Sequence, residues 1–309
     1  MSKNTSNDSS IYENEVDLLE LSLSLWKKRN LIIMITAVCA VFSILYSLSL
    51  PNIYTSKSLL MPVQQANSLS KGISSISAIS SFTRIPSLDM SVSKSQEGVE
   101  RIQSFEFFSN FILPNINLEN LMAVKKWNKN NNSISYHDEI YNKETDKWKY
   151  KGIEYNKPSS QQAFEIYESI LHINHDLMTS FIYISIDHQS PYIAKKWLDL
   201  IIYQINESMR SADQQQAKKS ITFLSDVQQT SSIQSIKEIT TLLLKQQMQT
   251  YMLTSSGDDY VFKIIDSPLV PEKKSRPSRA TICILGTIIG GFFSILVALV
   301  QIYRKKNHN

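Results

Sequence analysis

Two stretches of this chain hold no charged side chain, and between them the apolar positions change from a period of two to a helical period and back. Leu31 to Leu50 runs twenty residues without a charge, and Thr281 to Tyr303 runs twenty-three. At about 1.5 Å per residue, each can cross a hydrocarbon core about 30 Å thick. A buried core helix seldom runs past about 14 residues without a polar face, so residues 31–50 and 281–303 are predicted to be transmembrane helices. The first begins too far along, and runs too long, for the apolar region of about 7 to 15 residues in a signal peptide. No small-x-small cleavage pattern follows it, and it is expected to remain as an anchor.

The 230 or so residues between them, 51–280, mix both periods. Tyr54 to Met61 reads as a strand ended by Pro62. A serine-rich stretch, Asn67 to Ser95, has the composition of a loop. From Gln96 to Phe111, the residues Val99, Ile102, Phe105, Phe108 and Phe111 or Ile112 recur at three to four residues, one apolar face of a helix. Asn117 to Pro158 is rich in Asn, Lys and Tyr and is expected to be a surface excursion holding a hairpin. A helix follows from Ser159-Ser160, capped by Pro-Ser-Ser-Gln-Gln and carrying Phe164, Tyr167 and Leu171 on one side. In the next strand, Ile182, Ile184 and Ile186 alternate with Tyr183, Ser185 and Asp187.

Between Pro191 and Gly257 there is neither proline nor glycine. Ala194, Leu198, Ile201, Ile205 and Ala212 form an apolar seam that reappears as Ala217, Ile221, Leu224 and then Ile233, Ile236, Leu243. The spacing predicts one very long helix over about 191–252, reaching up to about 90 Å, with Thr230 marking where a break would fall. A domain of this size cannot bury such a rod, so Leu198, Ile201, Ile205, Ala212, Ile221 and Leu224 are expected to face neighbouring copies in a homo-oligomer; a lone coiled-coil arm is the alternative. A last strand, Asp259 to Pro268, returns toward the second apolar run and should pair with the strand at 54–61. The expected fold class is α+β: a membrane-proximal mixed sheet with helices and one very long projecting helix, anchored by two transmembrane helices.

Charge then orients the chain. Lys27, Lys28 and Arg29 precede the first apolar run, and Arg304, Lys305 and Lys306 follow the second. By the positive-inside rule, the tails 1–30 and 304–309 are expected to be cytoplasmic and the domain 51–280 to lie across the membrane. Lys273, Lys274, Arg276 and Arg279 stand on the other side of the second run and weigh less, because the first helix usually sets topology. Those four are expected to meet lipid phosphates. Both cysteines, Cys39 and Cys283, fall inside the apolar runs, which excludes a disulfide framework for the domain between. The net charge of +4 gives no reason to expect nucleic-acid binding.

The search for chemistry finds fragments only. There is no phosphate-cradling GxxxxGK[ST] or GxGxxG motif and no GxSxG elbow. His172 and His175 form an HxxH on the helix predicted there, with Glu168 one turn earlier, but no further ligand stands near for a metal. Glu165/Glu168 and Asp258-Asp259 are acids paired in sequence, without the cleft that acid–base work needs. No catalytic residue, cofactor or metal is expected. The specific signals are elsewhere. Gly286 and Gly290 make a GxxxG with Gly291 beside them, which allows close packing of helices in lipid. Pro268, Pro271 and Pro277 make a semi-rigid entry into the second helix.

The stretches DLLELSLSLWKKRNLII, YSLSLPNIYTSKSLLMP, SIDHQSPYIAKKWLDLIIYQINESMR and YVFKIIDSPLVPEKKSRPSR, with the glycine-bearing closing helix, resemble the Wzz chain-length determinants. These are polysaccharide co-polymerases of bacterial inner membranes. The resemblance covers both ends and the second half of the intervening domain; Leu118 to Lys157 stands outside it. It implies a non-catalytic regulator of the chain length of O-antigen, or a related surface polysaccharide, made by a Wzy-type polymerase. It also implies an α/β base near the membrane, a long helix projecting into the periplasm, and ring- or bell-shaped homo-oligomers acting on lipid-linked polysaccharide. Pro268, Pro271 and Pro277 match the family's proline-rich segment, and Gly286 and Gly290 its glycine-bearing helix. Only Arg304 to Asn309 follow the second helix, so the branch without a tyrosine kinase domain is expected. Two other readings are a membrane-anchored periplasmic ligand-binding or sensory module, and a polysaccharide-processing enzyme.

Overall fold

A computed structural model describes residues 25–63, 94–150, 153–155, 157–176, 178–255 and 259–306. The serine-rich stretch expected to be a loop lies almost wholly outside them, as do most of the N-terminal tail and Asp258. The chain forms two compact units. One holds both apolar helices, up to Pro51 and from Arg276 onward; the other is Asn52–Ser275.

In the first unit, α1 spans Arg29–Ser49, and the last helix of the chain, Arg279–Lys306, is the second apolar one. Both are long and apolar enough to cross a bilayer. α1 ends where proline dictates. Leu50, its cap, is extended (φ −72°, ψ 137°) because Pro51 follows it.

The second unit is built on a four-stranded sheet in which Leu171–His175 (β7), Ile182–His188 (β8), Tyr54–Pro62 (β1) and Phe262–Asp266 (β9) lie side by side in that order, every pair antiparallel. α2, Lys94–Ile102, leads through Phe105–Phe107, Phe108–Ile112 and Leu113–Asn115 to α3, Leu118–Met122. The apolar face predicted from Gln96 to Phe111 exists, yet not as one helix. Ser104 is extended, and its hydroxyl caps a new start by accepting from the Phe107 amide. The excursion contains the hairpin β2–β3 (Val124–Asn128, Ser133–Tyr136) and the meander β4–β5–β6 (Tyr141–Asn142, Lys147–Tyr150, Ile153–Tyr155). It is not wholly superficial: Tyr141 and Trp148 are buried, with ring centroids 5.1 Å apart.

α4, Ser160–Ile170, starts with the capping box expected there. The Ser159 hydroxyl accepts from the Gln162 amide, and the Gln162 side chain accepts from the Ser159 amide. The helix ends at Ile170, short of the HxxH it was expected to carry, and Leu171 opens β7, Leu171–His175. The HxxH therefore lies on a strand rather than a helix, and its two imidazoles, an odd number of residues apart, point to opposite faces. β8, Ile182–His188, pairs with β1 from Tyr54↔His188 to Leu60↔Ile182.

α5 begins with Pro191 at its first position, where no amide is missed, and runs 40 residues to Thr230. The rod breaks at Thr230, the position marked for a break, and does not continue as one helix over 191–252. Ser231 and Ile233 are extended (ψ 132° and 119°), and α6, Gln234–Thr254, folds back on α5. Gln228 Nε2 donates to Thr241 Oγ1 across the hairpin at 3.0 Å. The reach is thus about 60 Å, from 40 residues at 1.5 Å each. β9, Phe262–Asp266, then pairs with β1 as expected, and Arg279–Lys306 is α7.

The core lies between one face of the sheet and the first half of α5. Leu60, Ile182, Ile184 and Ile186 meet Ala194, Leu198, Ile201 and Ile205, all buried. Phe108, Phe164 and Tyr167 extend it. Burial holds the Tyr167 hydroxyl well above its usual pKa, and that hydroxyl donates to the Ile102 carbonyl at 3.1 Å.

Candidate functional site

Three features position the residues singled out from sequence: the helix pair, the corner of the sheet where both chain ends leave it, and the arm formed by α5 and α6.

In the helix pair, small residues of α1 face small residues of α7. A Cβ built on Gly286 would stand 2.6 Å from the Cβ of Ser43, and one on Gly290 would collide with the Cβ of Cys39 and sit 3.1 Å from its Sγ. Only glycine permits that approach. Around an added Cβ at Gly291 nothing lies within 4 Å, so the expected packing role does not extend to it in this contact. Ser43 Oγ donates to the Ile282 carbonyl at 2.9 Å, and the hydroxyls of Thr36 and Ser294 are 3.2 Å apart. Thr36 and Ser294 also donate to carbonyls of their own helices, Ile32 at 2.8 Å and Gly291 at 2.7 Å. Lys28 Nζ donates to Gln301 Oε1 at 3.4 Å, which brings the cationic ends of the two helices together. There Arg29 lies over the Trp26 ring, Lys27 and Arg304 are exposed, and Lys305 and Lys306 close α7.

At the corner, the segment after β9 runs beside β1. Ser58 Oγ donates to the Asp266 carbonyl at 2.6 Å, Ser56 Oγ to the Leu269 carbonyl at 2.9 Å, and the Ser275 amide to the Ile53 carbonyl at 2.8 Å. Pro268 is buried, Pro271 half-buried, and Pro277 lies beyond, in the helix-pair unit. Ser56 and Ser58 point into the protein, and their hydroxyls give the chain's return path its register.

Sequence reasoning missed the residue that holds β9's entry. Asn206 is buried in α5. Its Oδ1 accepts from the amides of Val261 (2.8 Å) and Phe262 (2.9 Å), and its Nδ2 donates to the Phe262 carbonyl at 3.0 Å. The available signal was an amide set between Ile202, Ile205 and Met209. Lys94 is a second such node: it pairs with Asp213 and lies 3.0 Å from the Tyr260 hydroxyl. Burial pulls its ammonium down, but those two partners outweigh it and hold the group above its ordinary pKa. A third is His188. Its Nδ1 accepts from the Ser190 amide at 2.8 Å and its Nε2 donates to the Asn120 carbonyl at 2.8 Å; burial lowers its pKa.

Among the described residues, the acids and histidines singled out from sequence fall at separate places. Thr55 donates to Asp187 Oδ1, and His172 Nε2 lies 3.2 Å from Asp187 Oδ2. The carboxylate stands between hydroxyl and imidazole, whereas base activation of a nucleophile needs the imidazole in the middle. Glu165 and Glu168 are exposed on α4. Among the described residues, no three His, Cys, Asp or Glu side chains group as metal ligands do.

The arm divides the expected oligomer seam. Leu198, Ile201 and Ile205 are fully buried in the domain's own core and are closed to a neighbouring copy. Ala212 is exposed, and Ile221 and Leu224 are half-buried. What stays open is mostly on α6: Ile236, Ile239, Leu242, Leu243, Met248 and Met252, with Phe223 of α5 67% exposed.

Comparison with known proteins adds the following. Residues 14–120 match the family model of Wzz, chain length determinant protein, and residues 222–303 match that of GNVR, described as "G-rich domain on putative tyrosine kinase". No curated protein matches the chain. Similar solved structures include a full-length bacterial polysaccharide co-polymerase, at 14% identity and TM-score 0.39, covering 95% of this chain and 99% of that one. Another is a fragment of WzzB, a polysaccharide co-polymerase from Salmonella Typhimurium, at 13% identity and TM-score 0.31, covering 73% of this chain and 100% of that one.

Proposed function

We propose that this chain, which carries a Wzz chain length determinant domain at residues 14–120 and a GNVR domain at 222–303, regulates the length of a surface polysaccharide in the bacterial inner membrane. The domain match carries the reading. In the finer form, the polymer is O-antigen or a related glycan extended on a lipid carrier by a Wzy-type polymerase, and the chain is a non-catalytic homo-oligomeric co-polymerase. Both termini are cytoplasmic and the sheet domain is periplasmic. Lys27, Lys28, Arg29, Arg304, Lys305 and Lys306 hold that topology by the positive-inside rule.

Two observations support the finer form. The α6 face presents a run of large apolar side chains to solvent, a surface that asks for a partner; copies of the same arm supply one by symmetry. Both strands that connect to the membrane helices, β1 and β9, are neighbours in one sheet, so motion or load at one anchor is shared with the other through their ladder. The proline segment, pinned to β1 by Ser56, Ser58 and Ser275, serves as the stiff link on the return side.

The test is deletion of the chromosomal copy, complementation with the full chain, and electrophoresis of the surface polysaccharide. Polymer should persist in the deletion with its preferred length lost, and the wild-type chain should restore that length. A banding pattern indifferent to the deletion would refute the proposal.

A further inference from the structure

At the corner where both connections leave the sheet domain, three aromatic rings sit together. Trp127 of the β2–β3 hairpin packs edge-on against Tyr54 of β1, centroids 5.4 Å apart, and lies 6.2 Å from Tyr192 in the first turn of α5. Tyr192 is 51% exposed and Trp127 is half-buried. The hairpin has a tie besides these rings, the Gln189 side chain donating to the Val124 carbonyl at 3.0 Å. The hairpin, residues 124–136, carries Lys125, Lys126 and Lys129 and no acidic residue, and all three lysines are exposed. It lies between the two segments that match family models, 14–120 and 222–303.

Covalent connectivity sets where this corner works. Tyr54 is four residues past Leu50, the cap of α1, and Ser275 is four residues before α7. At about 3.6 Å per residue, neither link exceeds about 14 Å. Ser275 is bonded to the neighbours of Tyr54: its amide to the Ile53 carbonyl and its hydroxyl to the Thr55 amide. If α1 and α7 cross a bilayer, two short tethers hold this corner within reach of the headgroups. Rings with an apolar body and a polar tip are enriched at that depth, and lysines near an anionic surface add to binding.

We infer that the Tyr54–Trp127–Tyr192 cluster, with Lys125, Lys126 and Lys129, is a docking surface for anionic lipid headgroups that fixes the sheet domain against the membrane. The inference rests on the membrane reading of the two helices. The test uses the full chain in vesicles of phosphatidylethanolamine and phosphatidylglycerol, part of which bears a nitroxide on the headgroup. On a Trp26→Phe background the remaining tryptophans are Trp127, Trp148 and Trp197, and the last two are 7% and 5% exposed, so headgroup quenching reports Trp127. Strong quenching is expected that disappears when Trp127→Phe is added. Changing the three lysines to Gln, which leaves the aromatic packing untouched, should weaken docking about fivefold per lysine at low salt. Quenching that is absent, or that survives Trp127→Phe, overturns the inference. So does a neutral oligosaccharide that shifts Trp127 emission while the labelled lipid leaves it unchanged, because the surface then takes a sugar. A chain that floats with the vesicles unquenched sinks this inference alone; one that fails to associate with them sinks the membrane reading as well.

Discussion

The two halves of α5 are one helix with two different surroundings. From Pro191 to Met209 its apolar side chains are used up inside the sheet domain: Leu198, Ile201 and Ile205 have no exposure at all. From Arg210 to Thr230 it leaves the core: Asp213 still holds Lys94 and the Tyr260 hydroxyl, α6 folds back along it, and Ala217 is its one buried side chain among the described residues. Apolar spacing is similar in both halves, so periodicity tells that a face is covered but not by what. The first half has its complement within the chain, as α7 has in Ser43 and Cys39; the arm does not.

That contrast can be broken at its most tightly complemented point first. Gly286→Leu with Gly290→Leu places branched side chains where Ser43 and Cys39 already stand, and close packing of α1 with α7 should be lost. Crosslinking between cysteines placed at Thr36 and Ser294 should fall to background; crosslinking at the wild-type level would show that the helices need no glycine to meet. Next, Ile201→Ala in the buried half should cost about 3 kcal/mol by the cavity it leaves, read as a lower denaturant midpoint. Asn206→Ala should cost about 2 kcal/mol, because the Val261 and Phe262 amides lose their shared acceptor in a dry site. A variant as stable as wild type would mean that water or a neighbouring carbonyl takes over.

His188 adds a pH dependence confined to the sheet domain. Its folded pKa lies below the ordinary value of 6.5 because burial penalises the imidazolium by more than its backbone partners Asn120 and Ser190 favour it. The unfolded chain therefore binds more protons in the window below 6.5. Stability is full above 6.5 and falls as pH drops from there toward the folded pKa. His188→Gln should flatten that slope in thermal melts between pH 7 and 5, whereas an unchanged slope would assign it to other groups. Smallest of all on stability is the arm. Ile239→Ser with Leu243→Ser, at side chains 47% and 40% exposed, should move the midpoint by no more than about 0.5 kcal/mol, while shifting the mass of the assembled full-length protein to smaller species.

Much of this architecture was legible from residues alone, for identifiable reasons. The two long apolar helices declare themselves by length without charge, and β1, β8 and β9 by alternation or by apolar runs closed with proline. The break at Thr230 was legible and the fold-back was not: Ser231 and Ser232 bring no glycine or proline, and the seam resumes at Ile233 and Ile236 as a continuing helix would. The HxxH misled because a helix with a sound capping box was read one turn too far, through Leu171. The excursion's aromatic residues read as surface because Asn and Lys surround them, although Tyr141 and Trp148 are core and Trp127 belongs to the sheet corner. Asn206 was hidden by its type, since a buried amide within an apolar seam becomes meaningful only when the strand entry it holds is seen.

The most direct test of the account is the polysaccharide length distribution in a deletion strain complemented with Ile239→Ser and Leu243→Ser in the full chain. Membrane levels of the variant should match wild type, polymer should still be made, and the preferred length should shift or disappear. A distribution indistinguishable from wild type, in a protein shown to have lost its assembly, would contradict the claim that the open face of the arm joins copies of this chain to set polymer length.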